Sequence, residues 1–355
     1  MKYLIVQEWE NTKNNHAGMK HMCDLLVEKY PDKYEMIVNP APKERKLSRN
    51  FILKKIQYIK SYWDLKYFYT LRYKRLCKSV FKNLKDGDEV FLLEYCLLHA
   101  PQIGLAKYIK KNFSNVRVYG LSHLTPSFDF GKNITYKDIV LSWSKYCDKM
   151  LTLGSSLSLF FTNCGIPKEK ISTGFHYVDN EYYNNNHIVE NNRRLKLIVI
   201  GMLQRDFHLL VNVIKDTPQV DWVICKGHKN IESLFTDLPN VILKGYISEN
   251  ELRDEMSNVD ISVNILEDTV GSNVITTSMA MGLAIICSDV GSIRDYCTTE
   301  NCEFCNNTKE DFVEAINRME NDRNRVYQMK LKSMELSKKL SIENIDKWLS
   351  SLDKK

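Results

Sequence analysis

Short apolar runs alternate with amphipathic stretches along most of the chain. Met1–Gln7, Tyr34–Val38, Glu89–Tyr95, Arg117–Leu121, Met150–Leu153 and Ile171–Phe175 are four to seven residues long and largely apolar, which predicts strands. Between them, Gly18–Lys29, Gln102–Asn112 and Ser155–Cys164 predict helices. A second series follows. Its strands are expected at Leu195–Ile200, Val220–Cys225, Val241–Lys244, Ile261–Ile265 and Leu283–Cys287, and its helices at His208–Lys215, Asn250–Ser257, Val274–Met281 and Lys309–Met319. Strands that alternate with helices imply parallel sheets with right-handed crossovers. The polar, Asn-rich run Asn180–Arg194 separates the series and reads as a linker. The division predicted is a first domain over 1–180, a linker over 181–194, a second domain over 195–335 and a charged helical tail over 336–355 that returns toward the first domain.

A length of 355 residues fits two domains at roughly 100–200 residues each. No apolar run approaches the roughly 20 residues that span a bilayer. The N-terminal run meets Gln7 and Glu8 after four apolar residues, too short for a signal peptide, so a cytoplasmic location is expected. The ten cysteines agree, because most stand singly in apolar or helical contexts and read as small core residues. Cys297-x4-Cys302-x2-Cys305 has the thiols for a metal but no nearby fourth ligand, and it too reads as core. No metal is expected.

Charge changes the picture in one place. Residues 43–85 hold fourteen Lys or Arg and two acidic residues, a net +12 where the whole chain carries +6. Aromatics interleave, among them Phe51, Tyr58, Trp63, Tyr67 and Tyr73, and Ile52, Ile56, Ile59 and Trp63 have helical spacing. Two readings stay open: a solvated helix face lying over the core, or a surface that docks on anionic lipid at the inner face of the membrane. Nucleic acid is not expected, since no recognition motif accompanies the charge.

The densest chemistry lies at Gly271–Gly282. Gly271 suits a backbone shape that other residues resist, and Ser272 and Asn273 suit the start of the helix that follows. The free amides of that first turn, with the helix dipole, make an anion site. Leu283–Cys287 then reads as a central parallel strand that breaks at Asp289–Ser292, and open α/β sheets bind ligands at such strand ends.

Five segments now carry a resemblance: LKLIVIGMLQRDFHLL (195–210), VDWVICKG (220–227), VILKGYISENELRDEMSNVDISVNILED (241–268), GSNVITTSMAMGLAIICSDVGS (271–292) and, upstream, SKYCDKMLTLGSSLSLFFTNCGIPKEKISTGFHYVD (144–179). In this order they resemble the retaining glycosyltransferases of family 4, the glycosyl transferases group 1. The resemblance implies the GT-B fold, two Rossmann-like doubly wound parallel-sheet domains facing a cleft. It also implies metal-independent transfer of a hexose from a nucleotide-sugar donor to a saccharide or lipid-linked acceptor in cell-surface glycan synthesis. The nucleotide-diphosphate sugar is then a substrate, and no further cofactor is expected. Departure of the diphosphate calls for fixed positive groups and amides. Arg205 matches a phosphate-binding arginine of the family, Lys226 stands where a second cation would help, and Gly271, Ser272 and Asn273 would complete the cradle. His123, after a strand, matches a histidine that reaches the reactive region. The loop holding Asn15, His16 and Gly18 matches the family's phosphate or acceptor loop, with one glycine rather than a pair. His99 and His176 also follow strands and read as structural.

The family places two glutamates eight positions apart across the glycine loop, and here those positions are Thr269 and Thr277. Glu267 and Asp268 lie just upstream for the sugar-contacting role, while Thr276, Thr277 and Ser278 offer hydroxyls to the ribose. A neutral hydroxyl binds ribose more weakly than a carboxylate does, so a catalytically silent GT-B scaffold that binds a nucleotide or a partner protein is the alternative function. A nucleotide-sugar epimerase is a third. Asp86-Gly87-Asp88, the one Asp-x-Asp in the chain, reads as a turn before a strand and not as a metal-binding transferase motif.

Overall fold

In the computed structural model of the protein, the apolar runs are strands and the amphipathic stretches are helices, in the predicted alternation. The structure describes residues 1–8, 15–40, 50–63, 78, 80, 82–96, 102–128, 130, 134–185 and 193–352. The chain divides into two units, Met1–Thr152 with Ser158–Ser172, and Leu153–Leu157 with Thr173–Lys355.

The first series comprises β1 (Lys2–Glu8), α1 (Met19–Lys29), β2 (Tyr34–Pro40), α2 (Phe51–Trp63), β3 (Glu89–Leu92), α3 (Gln102–Asn112), β4 (Arg117–Ser122), α4 (Tyr136–Trp143), β5 (Lys149–Thr152), α5 (Ser155–Asn163) and β6 (Ile171–Thr173). The strands form one sheet of order β2-β1-β3-β4-β5-β6. Leu4, Ile5, Val6, Val90, Phe91, Leu92 and Val118 are buried along consecutive positions, as strands covered on both faces require.

β3 stops at Leu92, short of the predicted Tyr95. Three tertiary hydrogen bonds bend the chain there: Leu93 N donates to Ile5 O (3.1 Å), Tyr95 N to Leu121 O (2.8 Å) and Glu94 N to Gln102 Oε1 (2.8 Å). Cys96 completes the turn at φ +62°. The Tyr95 ring lies where a side chain at Gly120 would stand, so β4 carries its glycine at that point.

The spacing of Ile52, Ile56 and Ile59 does form a helix, α2, but this helix does not cover the core. Phe51 is 77% exposed, Ile52 68% and Ile59 56%. For residues 50–60 the reading of a helix face laid over the core is therefore corrected. Residues 43–49, 64–77, 79 and 81 of the basic stretch lie outside the described residues, as does His99.

The second series comprises β7 (Lys196–Ile200), α6 (Phe207–Lys215), β8 (Asp221–Cys225), β9 (Val241–Lys244), α7 (Glu249–Ser257), β10 (Ile261–Asn264), α8 (Asn273–Ala280), β11 (Ala284–Ser288), a single helical turn at Ile293–Tyr296, β12 (Cys302–Cys305), α9 (Lys309–Asn321), α10 (Arg323–Ser337) and α11 (Ile342–Ser351). Helix starts use side-chain caps: Leu209 N donates to Asp206 Oδ1 (2.9 Å), and Ser248 and Glu251 form a reciprocal capping box. Trp222, Ile224, Ile261, Val263, Ile286, Phe312 and Ile316 form the core. Cys297, Cys302 and Cys305 are buried, and burial pushes the Cys305 thiol up to about 12, as core cysteines would be. Residues 173–180 and the tail group with this second unit, where Val178 N donates to Leu340 O (3.0 Å) and Trp348 packs on Gly174.

The second sheet has the order β12-β11-β10-β7-β8-β9. The chain runs outward from β7 to β9, jumps back to β10 and runs outward the other way. Loops leaving the carboxyl ends of β7 and β10 therefore part company, and the crevice between them is where an open α/β sheet takes a ligand. Among the described residues no helix is long and apolar enough to cross a membrane.

Candidate functional site

Arg205 sits at that reversal. After β7, Gly201 (φ +86°) and Gln204 (φ +54°) each wind the backbone through the left-handed region. Gln204 carries a Cβ, so its conformation is held by its surroundings. Gln204 O accepts from Glu267 N (2.9 Å), and Arg205 pairs with Leu266 in an antiparallel bridge. These contacts turn the Arg205 side chain inward, and it is 9% exposed.

Arg205 Nη2 donates to Asn264 Oδ1 (3.1 Å), while Nε and Nη1 are buried without a hydrogen-bond partner. Among the described residues no carboxylate pairs with this guanidinium. Burial pulls it down to about 10, which leaves it charged at neutral pH. Burying a charge without a counter-charge is costly, so this cation is set to receive an anion. Asn264 is fixed in turn: its Nδ2 donates to Ser262 Oγ (3.0 Å), which also accepts from Ser278 Oγ (2.9 Å) on α8.

The start of α8 lies beside it. A Cβ at Gly201 would stand 3.8 Å from both Arg205 Nε and Val274 Cγ2. Gly271 adopts φ +126°, and a Cβ there would come within 2.7 Å of Tyr296 Oη and 2.9 Å of Leu153 O, so both the backbone shape and the space demand glycine. Tyr296 Oη holds the loop's neighbours by donating to Leu153 O and accepting from His176 N (2.8 Å). Ser272 occupies the N-cap position, but its side chain makes no capping bond. The first intrahelical bond runs from Thr276 N to Ser272 O (3.1 Å), so the amides of Asn273, Val274 and Ile275 precede the ladder. Arg205 and the Gly271-Ser272-Asn273 turn are thus brought together at one end of the sheet, an arrangement that can receive an anion.

The other expected donor-site residues are placed differently. Lys226 is buried and already engaged: its Nζ donates to Lys229 O (2.8 Å) and pairs with Glu232 (2.8 Å). It is not a free cation in this structure. Thr277 Oγ1 donates to Asn273 O (2.7 Å) and Thr276 Oγ1 to the same carbonyl (3.2 Å), while Ser278 is spent on Ser262. The hydroxyl protons expected for a ribose are folded back on the protein's own acceptors, as Ser and Thr often do within helices. Glu267 is exposed. Asp268 is half-buried and accepts from Thr269 N (2.7 Å); burial raises its carboxyl above the ordinary range, and that hydrogen bond opposes the shift. The loop after β11 presses against these residues, with Gly291 (φ +56°) against Thr269 O and Ser292 N donating to the same carbonyl (2.8 Å).

In the first unit, His123 follows directly on β4. Its Nε2 stands 3.8 Å from Glu94 Oε2, and its Nδ1 is buried without a hydrogen-bond partner. Glu94 is 4% exposed, in the turn that ends β3. The buried carboxylate lies against the imidazole and orients the ring. Asn15 shapes the start of α1: its Oδ1 accepts from Ala17 N (2.8 Å) and its O from Gly18 N (2.9 Å). Gly18 is the N-cap residue, and His16 packs edge-on against His21, centroids 4.4 Å apart.

Sequence reasoning missed Asn264, Gln204 and Glu94. Asn264 carried a signal, a polar residue ending an apolar strand at the sheet's reversal. Gln204 carried none, because its positive φ arises from the loop's tertiary bonds. Glu94 was hidden inside a run read as strand.

Comparison with known proteins bears on this geometry. Residues 194–322 match the family model described as Glycosyl transferases group 1. Among curated protein sequences none matches the chain. Solved structures share the fold. HepE of Anabaena, in complex with UDP-glucose, superposes with a TM-score of 0.71 at 11% identity, over 99% of each chain. The lipopolysaccharide outer core galactosyltransferase WaaB gives 0.67 at 15% identity, over 99% of each chain. TarM gives 0.62 at 16% identity over 78% of this chain, which spans 58% of TarM's length. The fold is thus that of the GT-B glycosyltransferases, and the resemblance read from the sequence is borne out over residues 194–322.

Proposed function

We propose that this chain, GT-B in fold and matching the glycosyl transferases group 1 over residues 194–322, moves a hexose from a UDP-sugar to a saccharide or lipid-linked acceptor, with retained anomeric configuration and without a metal. The observation that carries the proposal is Arg205, a buried guanidinium with two unpartnered nitrogens beside the first turn of α8. Breaking the glycosidic bond places negative charge on the departing diphosphate. A preformed cation and a row of backbone amides stabilise that charge without reorganising. Lys226 joins them when the diphosphate replaces its exposed partner Glu232. Glu267 and Asp268 are assigned the sugar, and His123, steadied by Glu94, an acceptor hydroxyl. Uridine is chosen because HepE was solved with UDP-glucose and TarM of S. aureus with UDP. WaaB, a lipopolysaccharide outer core galactosyltransferase, supports a cell-surface role. Exposed Phe51, Ile52, Ile56 and Ile59 among Lys54, Lys55 and Lys60 support peripheral docking on an anionic bilayer.

Calorimetric titration with UDP, GDP, ADP, TDP and CMP, with and without EDTA, tests the donor site. UDP is expected to bind in both conditions, and Arg205→Ala to weaken it about a hundredfold, the worth of a charge-assisted hydrogen-bonded contact. Unchanged binding by the variant would refute the phosphate assignment, and binding lost with EDTA would refute metal independence. The second reading, a silent scaffold, is favoured by the inward hydroxyls of Thr276 and Thr277. It predicts UDP binding with neither transfer to an acceptor nor hydrolysis of a UDP-sugar.

A further inference from the structure

The single helical turn Ile293–Tyr296, between β11 and β12, directs polar groups to chain segments far away in sequence. Ser292, just before it, donates from N to Thr269 O (2.8 Å). Its Oγ accepts from Ser156 N (3.0 Å) and shares a hydrogen bond with Ser156 Oγ (2.6 Å). Asp295 accepts from Ser155 N (2.6 Å) and Ser155 Oγ (2.8 Å), capping the start of α5 from 140 positions away. Tyr296 Oη donates to Leu153 O and accepts from His176 N (2.8 Å). All of these residues belong to the second unit.

The Tyr296 hydroxyl also lies against the backbone of Gly271. A Cβ at Gly271 would stand 2.7 Å from Tyr296 Oη, 2.9 Å from Leu153 O and 3.1 Å from Leu153 Cβ. Gly271 therefore backs onto the hydrogen-bonded pair of Tyr296 and Leu153, and the residues that open α8 follow it directly. Tyr296 is buried, and burial pushes its phenol up, so the hydroxyl keeps its proton at neutral pH. A hydroxyl has one proton to donate, and here Leu153 O receives it. Tyr296 thus has no proton left to offer an anion, and its influence on the anion site runs through Gly271.

We infer that Tyr296 is a positioning residue for the donor diphosphate: its hydroxyl fixes the support on which Gly271 packs, and so sets where the Gly271-Ser272-Asn273 turn presents its amides. This rests on the donor reading above and adds a residue that acts on the phosphates without touching them. Phenylalanine at this position keeps the ring but loses the bonds to Leu153 O and His176 N, which loosens the support behind Gly271.

The test measures calorimetric binding of UDP and of inorganic pyrophosphate, beside melting temperature, for the wild type, Tyr296→Phe and Asp295→Ala. Asp295→Ala removes the α5 cap from the same turn and serves as the structural control. Both variants are expected to melt below the wild type. Tyr296→Phe alone should weaken the ligands, by about fivefold and equally for UDP and pyrophosphate, the worth of one neutral hydrogen bond. Gly271→Ala drives a Cβ into the hydroxyl and should weaken pyrophosphate at least as much, which tests the same contact whether or not the phenylalanine variant folds. If Tyr296→Phe melts lower yet binds both ligands like the wild type, while Arg205→Ala loses them, this inference alone is overturned. Equal ligand losses in Tyr296→Phe and Asp295→Ala also overturn it, since the integrity of the turn and not the hydroxyl would then set the site. So does a loss of UDP without a loss of pyrophosphate, or wild-type pyrophosphate affinity in Gly271→Ala. A chain that binds neither UDP nor pyrophosphate overturns the donor reading and this inference together.

Discussion

Arg205 and Asp268 are both shielded from water, yet burial acts on them with opposite consequences. For Arg205 the downward shift to about 10 still leaves the charge in place, and an anion placed against it would offset the cost of burial. For Asp268 burial raises the carboxyl pKa and penalises the ionised form. A carboxylate whose folded pKa lies above its unfolded value of about 3.9 binds more protons folded than unfolded in that window. Its contribution to stability thus falls as pH rises from about 4 through the raised value, and it stays lower at neutrality. Asp268→Asn keeps an oxygen to accept from Thr269 N and removes the titration. The variant is expected to melt above the wild type at pH 7 and to lose that advantage at pH 3. Melting curves at both values check this, and an equal gain at both would assign the effect to packing instead of ionisation.

At the scale of elements, the end of β10 controls the end of β7. Among the described residues, Asn264 is the one side chain that Arg205 touches by hydrogen bond, and a chain of hydroxyls from α8 holds Asn264. Asn264→Ala should reduce UDP affinity about tenfold, less than the loss of Arg205 itself. In the Arg205→Ala background the same change should cost almost nothing, because its effect passes through the guanidinium. Additive losses in that double-mutant cycle would separate the two residues. The cycle also marks what was legible. The Gly-Ser-Asn start of α8 was readable because glycine and short polar residues have few local uses, although the missing Ser272 cap was not. The turn after β3 was unreadable because Leu93 and Tyr95 continue an apolar pattern, and only bonds from distant Ile5, Leu121 and Gln102 bend it. The helical period of α2 was readable too, but its exposure was not, since an apolar stripe at helical spacing looks the same whether it faces a core or solvent.

Over the whole molecule, strand order and charge distribution carry the functional content. Alternation of strands and helices foretold two parallel sheets, whereas the reversal between β7 and β10 is a property of the folded sheet and explains why Arg205 and Asn264, 59 positions apart, meet. Charge is the clearer sequence-level signal. A +12 stretch in a chain of +6 leaves the remainder at −6, so attraction to an anionic surface is concentrated in residues 43–85. Within it α2 exposes lysines beside large apolar side chains, a combination that gains from headgroup charge and from burial in the interface together. At about 1 kcal/mol per basic residue, replacing Lys54, Lys55 and Lys60 by Gln should weaken co-sedimentation with phosphatidylglycerol vesicles about a hundredfold, and 0.5 M salt should mimic the change by screening. Ile56→Ser with Ile59→Ser removes the apolar part, so it should weaken binding even at high salt, where the charge contribution is already lost. Binding to neutral phosphatidylcholine vesicles equal to that on anionic ones, or indifference to both sets of substitutions, would rule α2 out as the membrane contact and leave its apolar face to a protein partner.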